Sequence, residues 1–299
     1  MDLPIVVGVD GSEPSLRAVD WAADEAALWG VPLRLVYAWL WERYEGAALA
    51  DELGRSSERV RAQDIVETAA ARAHRRQADV KVSTRTLSEE PEYALVRESR
   101  SASLLVTGTR GRSSVTEALL GSVSLTVAGH AHCPMVLVRG NHDNQVRPRT
   151  HGRIVVGVGE RPTTPAAVRF AADEARRREA VLDVVRAWRC PAHESPDHPP
   201  PDFVRGYPQL AGEPARMHEQ HAVEVLDKAL HDVPADVETS RRAVEGHARN
   251  VLADASRGAD LLVIGAERRD RHFGLQLGRV AHGVLHHSAC PVAIVPERE

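Results

Sequence analysis

Apolar positions recur along this chain in two rhythms. Ile5-Val6-Val7-Gly8-Val9, Leu104-Leu105-Val106 and Met135-Val136-Leu137-Val138 are short, nearly unbroken apolar runs. Strands buried on both faces of a sheet read this way. Between such runs, apolar residues fall three and four apart. Leu16, Val19, Trp21, Ala22, Ala26 and Trp29 mark residues 14–29 as a helix, with Pro14 suited to its first turn. The same reading predicts strands over 3–10, 32–40, 80–87, 104–108 and 134–138, and helices over 56–77, 91–100 and 122–130. Strands alternating with helices predict an α/β fold, a five-stranded parallel sheet with helices on both faces.

The chain then repeats itself. Ile5-Val6-Val7-Gly8-Val9 returns as Ile154-Val155-Val156-Gly157-Val158, and Ala22-Ala23-Asp24-Glu25-Ala26 as Ala171-Ala172-Asp173-Glu174-Ala175. Later, Leu104-Leu105-Val106 returns as Leu261-Leu262-Val263, and Cys133-Pro134 as Cys290-Pro291. A period this long means two copies of a domain, not a solenoid. Expected limits are 1–140 for the first domain, 141–151 for a polar linker and 152–299 for the second. A Pro-rich insert in the second copy, Cys190 to Pro208, reads as a surface loop.

Composition narrows the classes. A formal charge of −4 gives no global case for nucleic acid. No apolar run is long enough to span a membrane as a helix. No secretory leader is legible before Leu3, and three cysteines make no disulfide framework, so the expected compartment is the cytoplasm.

Candidate chemistry gathers after the fourth strand. Leu104-Leu105-Val106-Thr107-Gly108 runs into a glycine-bearing loop, then into Gly121-Ser122-Val123-Ser124, the start of a helix. Glycines let backbone approach a ligand, and a helix start presents unpaired N–H groups to a phosphate. In a parallel sheet, ligands sit at the strands' carboxyl ends where strand order reverses. If strands one and four are neighbours, Asp10 and this loop face one cleft. No P-loop lysine motif and no G-x-G-x-x-G after strand one occurs, which disfavours those nucleotide folds.

Gly108-x2-Gly111-x9-Gly121-Ser122, the Val9-Asp10-Gly11-Ser12 opening and Cys133-Pro134 together resemble the universal stress protein family in its tandem, ATP-binding form. The resemblance implies a Rossmann-like fold of the adenine nucleotide alpha hydrolase type. It implies ATP as ligand, with Mg²⁺ accompanying the phosphates. Asp10 would lie by the adenosine and Ala38 would line the adenine pocket. Thr107, Gly108 and Gly111 would lie along ribose and phosphates, and Gly121, Ser122, Val123 and Ser124 would bind phosphates. Arg110 and Arg112 are added on charge alone. The implied role is stress or growth regulation through a protein partner, with at most slow ATP hydrolysis. The two domains would form a pseudo-dimer through their last strands, Val136 to Val138 near Val292 to Val295, and a homodimer stays open. The alternatives are a nucleotide-independent interaction scaffold and an ATP-using transferase.

The second copy departs from the motif. Asp10 becomes Gly159, Gly111 becomes Arg268, Ser122 becomes Arg279 and Ser124 becomes Ala281. ATP binding is therefore expected to be lost or weakened there. The Asp24-Glu25 and Asp173-Glu174 pairs are expected on wet helix faces. His282 and His286, four apart, can share a face, and Cys133 and Cys290 read as buried thiols.

Overall fold

The apolar runs do become strands, and the 3.6-residue stretches become helices. In the computed structural model, the described residues are 2–39, 54–109, 120–139, 151–159, 165–190, 213–267 and 277–297. The first half runs β1 (Ile5–Gly8), α1 (Glu13–Trp29), β2 (Leu33–Ala38), α2 (Gly54–Arg76), β3 (Val82–Leu87), α3 (Pro91–Glu98), β4 (Leu104–Gly108), α4 (Ser122–His130) and β5 (Met135–Val138). The second runs β6 (Arg153–Gly157), α5 (Pro165–Arg178), β7 (Val181–Trp188), α6 (Glu213–Leu230), β8 (Thr239–Glu245), α7 (Ala248–Ala255), β9 (Leu261–Glu267), α8 (Arg279–His287) and β10 (Val292–Glu297). The expected linker, save His151, and the Pro-rich insert beyond Cys190 lie outside the described residues.

Local chemistry sets the ends of α1. Ser12 caps its start by accepting from Ser15 N, and Pro14 occupies the first turn. Gly30 ends it with φ 68°, a conformation glycine adopts at little cost, and its N–H reaches the carbonyls of Ala26 and Ala27.

All ten strands form one sheet, in the order β3-β2-β1-β4-β5-β10-β9-β6-β7-β8. Pairing is parallel within each half and antiparallel only between β5 and β10. There Leu137 meets Val292, Val136 meets Ala293 and Met135 meets Ile294. This is the last-strand pairing implied by the family resemblance. It covers two edges that would otherwise expose unpaired backbone. The Arg139 guanidinium crosses the seam to the Leu285 carbonyl, near the end of α8, where a cation suits the exposed carbonyls.

Alternate strand residues feed two apolar layers. Ile5, Val7, Leu104 and Val106 pack under α1 and α2, and Val6, Leu105, Met135 and Leu137 under α3 and α4. Each layer continues into the second half, onto α5 and α6 or α7 and α8. Gly8 and Gly157 are equivalent positions. A Cβ at either would come within 2.9 Å of Leu95 or Leu252, so the glycines let α3 and α7 settle on the sheet.

The two halves also meet through α1 and α5. Glu25 and Glu174, equivalent residues of the repeat, are buried there rather than on a wet face. The Trp29 indole N–H donates to Glu25 at 2.7 Å and to Glu174 at 3.0 Å. Arg178, at the position equivalent to Trp29, binds both carboxylates. Asp24 is also engaged, by Arg76 and Gln77 of the first half. The wet-face expectation therefore fails for the first copy and for Glu174. A helix face that is polar in isolation becomes an interface when a second copy supplies matching charge.

The thiols are buried as expected, and burial pushes both Cys133 and Cys290 up to about 12. A thiol so seldom ionised is a poor nucleophile. Iodoacetamide at neutral pH should therefore label Cys190 in the native chain and reach Cys133 and Cys290 only after denaturation. Mass mapping of the adducts checks this, and native labelling of either buried thiol would refute it.

Candidate functional site

Strand order reverses between β1 and β4, which lie side by side with Val7 opposite Val106. Asp10 and Thr109 each follow those paired residues by three positions, so they emerge together at the carboxyl edge. Asp10 is fixed by its own turn. Its Oδ1 accepts from Ser12 N at 2.9 Å and from the Ser12 hydroxyl at 2.5 Å. Its amide donates to Ser15 Oγ at 3.4 Å, and Gly11 takes the positive φ, 79°, that this turn needs. Ala38 ends β2 on the far side of β1, in register with Leu87.

The loop after β4 returns to the sheet where Gly121 N donates to Thr109 O at 2.8 Å. Gly121 is extended and caps α4. Ser122 is exposed on the first turn, Val123 is half-buried, and Ser124 is buried. Amides at a helix start have no intrahelical acceptor, so this turn is a ready site for an anion. Thus Asp10, Thr107, Gly108 and the Gly121 to Ser124 turn gather at one end of adjoining strands. Arg110, Gly111 and Arg112 lie outside the described residues.

Two of these residues have internal duties that the motif does not announce. A Cβ at Gly108 would lie 2.5 Å from the Pro14 carbonyl oxygen, so Gly108 lets the start of α1 lie against the end of β4. The Ser124 hydroxyl donates to Gly108 O at 2.9 Å and accepts from Thr107 Oγ1 at 3.3 Å, tying α4 to β4. Sequence reasoning passed over Ser12 and Ser15, which hold Asp10 in place. The Asp10-Gly11-Ser12 run was the available signal, since a short hydroxyl two residues past an aspartate suits such a turn.

The second half builds the same edge from other chemistry. Gly159 stands where Asp10 does, and its carbonyl accepts from the buried Arg186 guanidinium. Ile264 and Ala281 replace Thr107 and Ser124 and join the apolar layer instead of bonding through hydroxyls. Arg279 is exposed where Ser122 is. Arg268 lies outside the described residues. His282 and His286 do share a face of α8, with ring centroids 4.6 Å apart.

A parallel sheet whose strand order reverses between its first and fourth strands, built twice in one chain and without a P-loop or dinucleotide motif, defines a class of tandem α/β protein, and comparison gives it a family. The universal stress protein family matches residues 3–139 and again 150–296, and the chain belongs to that family. The universal stress protein Rv1996 of Mycobacterium tuberculosis is 31% identical, over 98% of this chain and 95% of its own length. A universal stress protein of Mycolicibacterium smegmatis is 28% identical, over 98% and 97%. Among solved structures, a universal stress protein from Archaeoglobus fulgidus shares the fold with a TM-score of 0.65 at 17% identity, covering 98% of both chains. No helix among the described residues is long and apolar enough to cross a membrane.

Proposed function

We propose that the first half binds ATP at the carboxyl ends of β1 and β4, and that the chain regulates a stress or growth response through the bound state. One observation carries this reading. The Asp10 carboxylate and the open first turn of α4 converge at the strand-order reversal. A carboxylate suits nucleoside hydroxyl or amino groups, and a helix start suits phosphates. Residues 1–140 form the binding domain, with Ala38 against the base, Thr107, Gly108 and Gly111 along the ribose and phosphates, and Arg110 beside them. Mg²⁺ accompanies the phosphates. ATP shifts a partner equilibrium only by its preference for one state of the chain.

The second half, 152–299, contributes the fold without this site. It replaces the carboxylate and both hydroxyls, so one ATP should bind per chain. Calorimetric titration of the full chain with MgATP tests the stoichiometry, and two equivalent sites would overturn the asymmetric assignment. Failure to bind at millimolar ATP would favour an interaction scaffold.

Ser122→Glu tests the placement. Ser122 is exposed, and an acidic residue in a helix's first turn favours the helix while repelling phosphate. ATP affinity should fall about tenfold or more, with thermal stability unchanged or slightly raised. Unaltered affinity would move the site elsewhere.

A further inference from the structure

A cavity of about 270 Å³ opens in the second half at the carboxyl ends of β7 and β8, beside α6 and the start of α7. Arg186, Arg189, His218, His221 and His247 line it, with Trp188 as its aromatic wall. No carboxylate is among its described lining residues. We infer that this cavity binds a small phosphate monoester, independently of the ATP site proposed for the first half.

The charge pattern sets the ligand class. Histidines alone would suit a metal cation, but two guanidiniums in the same wall oppose one. They suit an oxyanion, which takes several charge-assisted hydrogen bonds. The donors are also organised. Arg189 Nη1 lies 3.2 Å from His247 Nδ1. An arginine only donates, so His247 Nδ1 accepts and its ring proton sits on Nε2, a second donor. Arg186 is held by its bond to the Gly159 carbonyl and is 4% exposed, so its guanidinium is fixed before any ligand arrives. A preset cation costs little ordering on binding.

The repeat supplies the contrast. The positions of Arg186, Gly246 and His247 hold Tyr37, Glu89 and Glu90 in the first half. One place in the fold is thus acidic in one copy and basic in the other. The backbone does not require basic residues there, so their gathering in the second copy points to a ligand. The volume suits a phosphate with a small organic group, and Trp188 offers that group an apolar face.

The test titrates the full chain with phenyl phosphate, and separately with inorganic phosphate, by calorimetry. Phenyl phosphate should bind at submillimolar concentration, and more tightly than inorganic phosphate. Either probe could also meet the first turn of α4, so Ser122→Glu serves to separate the two places. The double variant Arg189→Gln/His221→Gln alters exposed positions and should weaken phenyl phosphate about tenfold while leaving MgATP affinity unchanged. Ser122→Glu should leave phenyl phosphate binding intact. In the unmodified chain, the imidazole resonances of His218, His221 and His247 should shift on addition of phenyl phosphate. Absence of binding, silent histidine resonances, or a loss caused by Ser122→Glu but not by the double variant would each overturn the assignment.

Discussion

Arg178→Met should destabilise the fold by about 3 kcal/mol, because the buried Glu25 and Glu174 carboxyl groups lose the guanidinium that binds both. Arg178 lies between Glu25 and Glu174, and all three are almost fully buried where α1 meets α5. Methionine keeps much of the volume, so the loss reports charge and hydrogen bonds. The urea midpoint should fall accordingly, and adding Glu25→Gln to Arg178→Met should recover part of the loss. An unchanged midpoint in the single variant would show that water reaches the cluster.

The same cluster sets a pH dependence. Burial holds the Glu25 carboxyl well above its ordinary value of 4.5, outweighing the opposing pull of Arg178, and neighbouring Glu174 adds to the rise. The folded chain therefore keeps a proton that the unfolded chain has released. The stability so gained is complete below 4.5 and is lost as pH rises through the higher folded value. Glutamine cannot titrate. The stability of Glu25→Gln relative to the unmodified chain should therefore grow from mildly acid to mildly alkaline pH. A constant difference over that span would contradict the assignment.

Gly108→Glu should damage the fold as well as any ligand site. Even alanine places a Cβ 2.5 Å from the Pro14 carbonyl oxygen and 3.0 Å from Ser15 N, and those are backbone atoms. The whole start of α1 must move, at a cost of about 1–3 kcal/mol. Gly108→Ala should lower the melting temperature and loosen the Asp10 turn, which rests on Ser12 and Ser15 at that same helix start. Its effect on ATP would then come through Asp10. A fully stable Gly108→Ala would show that α1 sits farther from β4. Ser122→Glu is the cleaner probe of binding, since its position touches solvent.

Much of this was legible in the sequence, for identifiable reasons. Strand β4 spans Leu104–Gly108 and α4 spans Ser122–His130, the bounds expected from an apolar run and a small-residue helix start. Strand β3 starts at Val82, two residues later than expected, because Val80 is used in a turn back to the Gln77 carbonyl. The placing of Asp10 and Thr109 at one edge of the sheet was legible only as a condition, that β1 and β4 adjoin, and they do. What periodicity could not give was contact between distant segments. Pro14 against Gly108, and the Ser124 hydroxyl turned inward, are tertiary facts with no local signature. The Glu25 interface did leave a trace. The same acidic pair recurs at one place in both copies, and its fourth neighbour changes from Trp29 to Arg178. A pseudo-twofold axis brings equivalent residues together, so a recurring acid beside one new base was a clue to the seam.

The antiparallel joint between β5 and β10 has a directional consequence. Because every other pairing is parallel, the strands of the first half run one way across the sheet and those of the second run the opposite way. The carboxyl ends of β1 and β4 and the basic cavity beyond β7 and β8 therefore lie at opposite rims of the sheet. A ligand at one rim would therefore not block the other. Any signal between them must cross the four strands that lie between, β5, β10, β9 and β6, or pass through the buried Glu25, Arg178 and Glu174 junction.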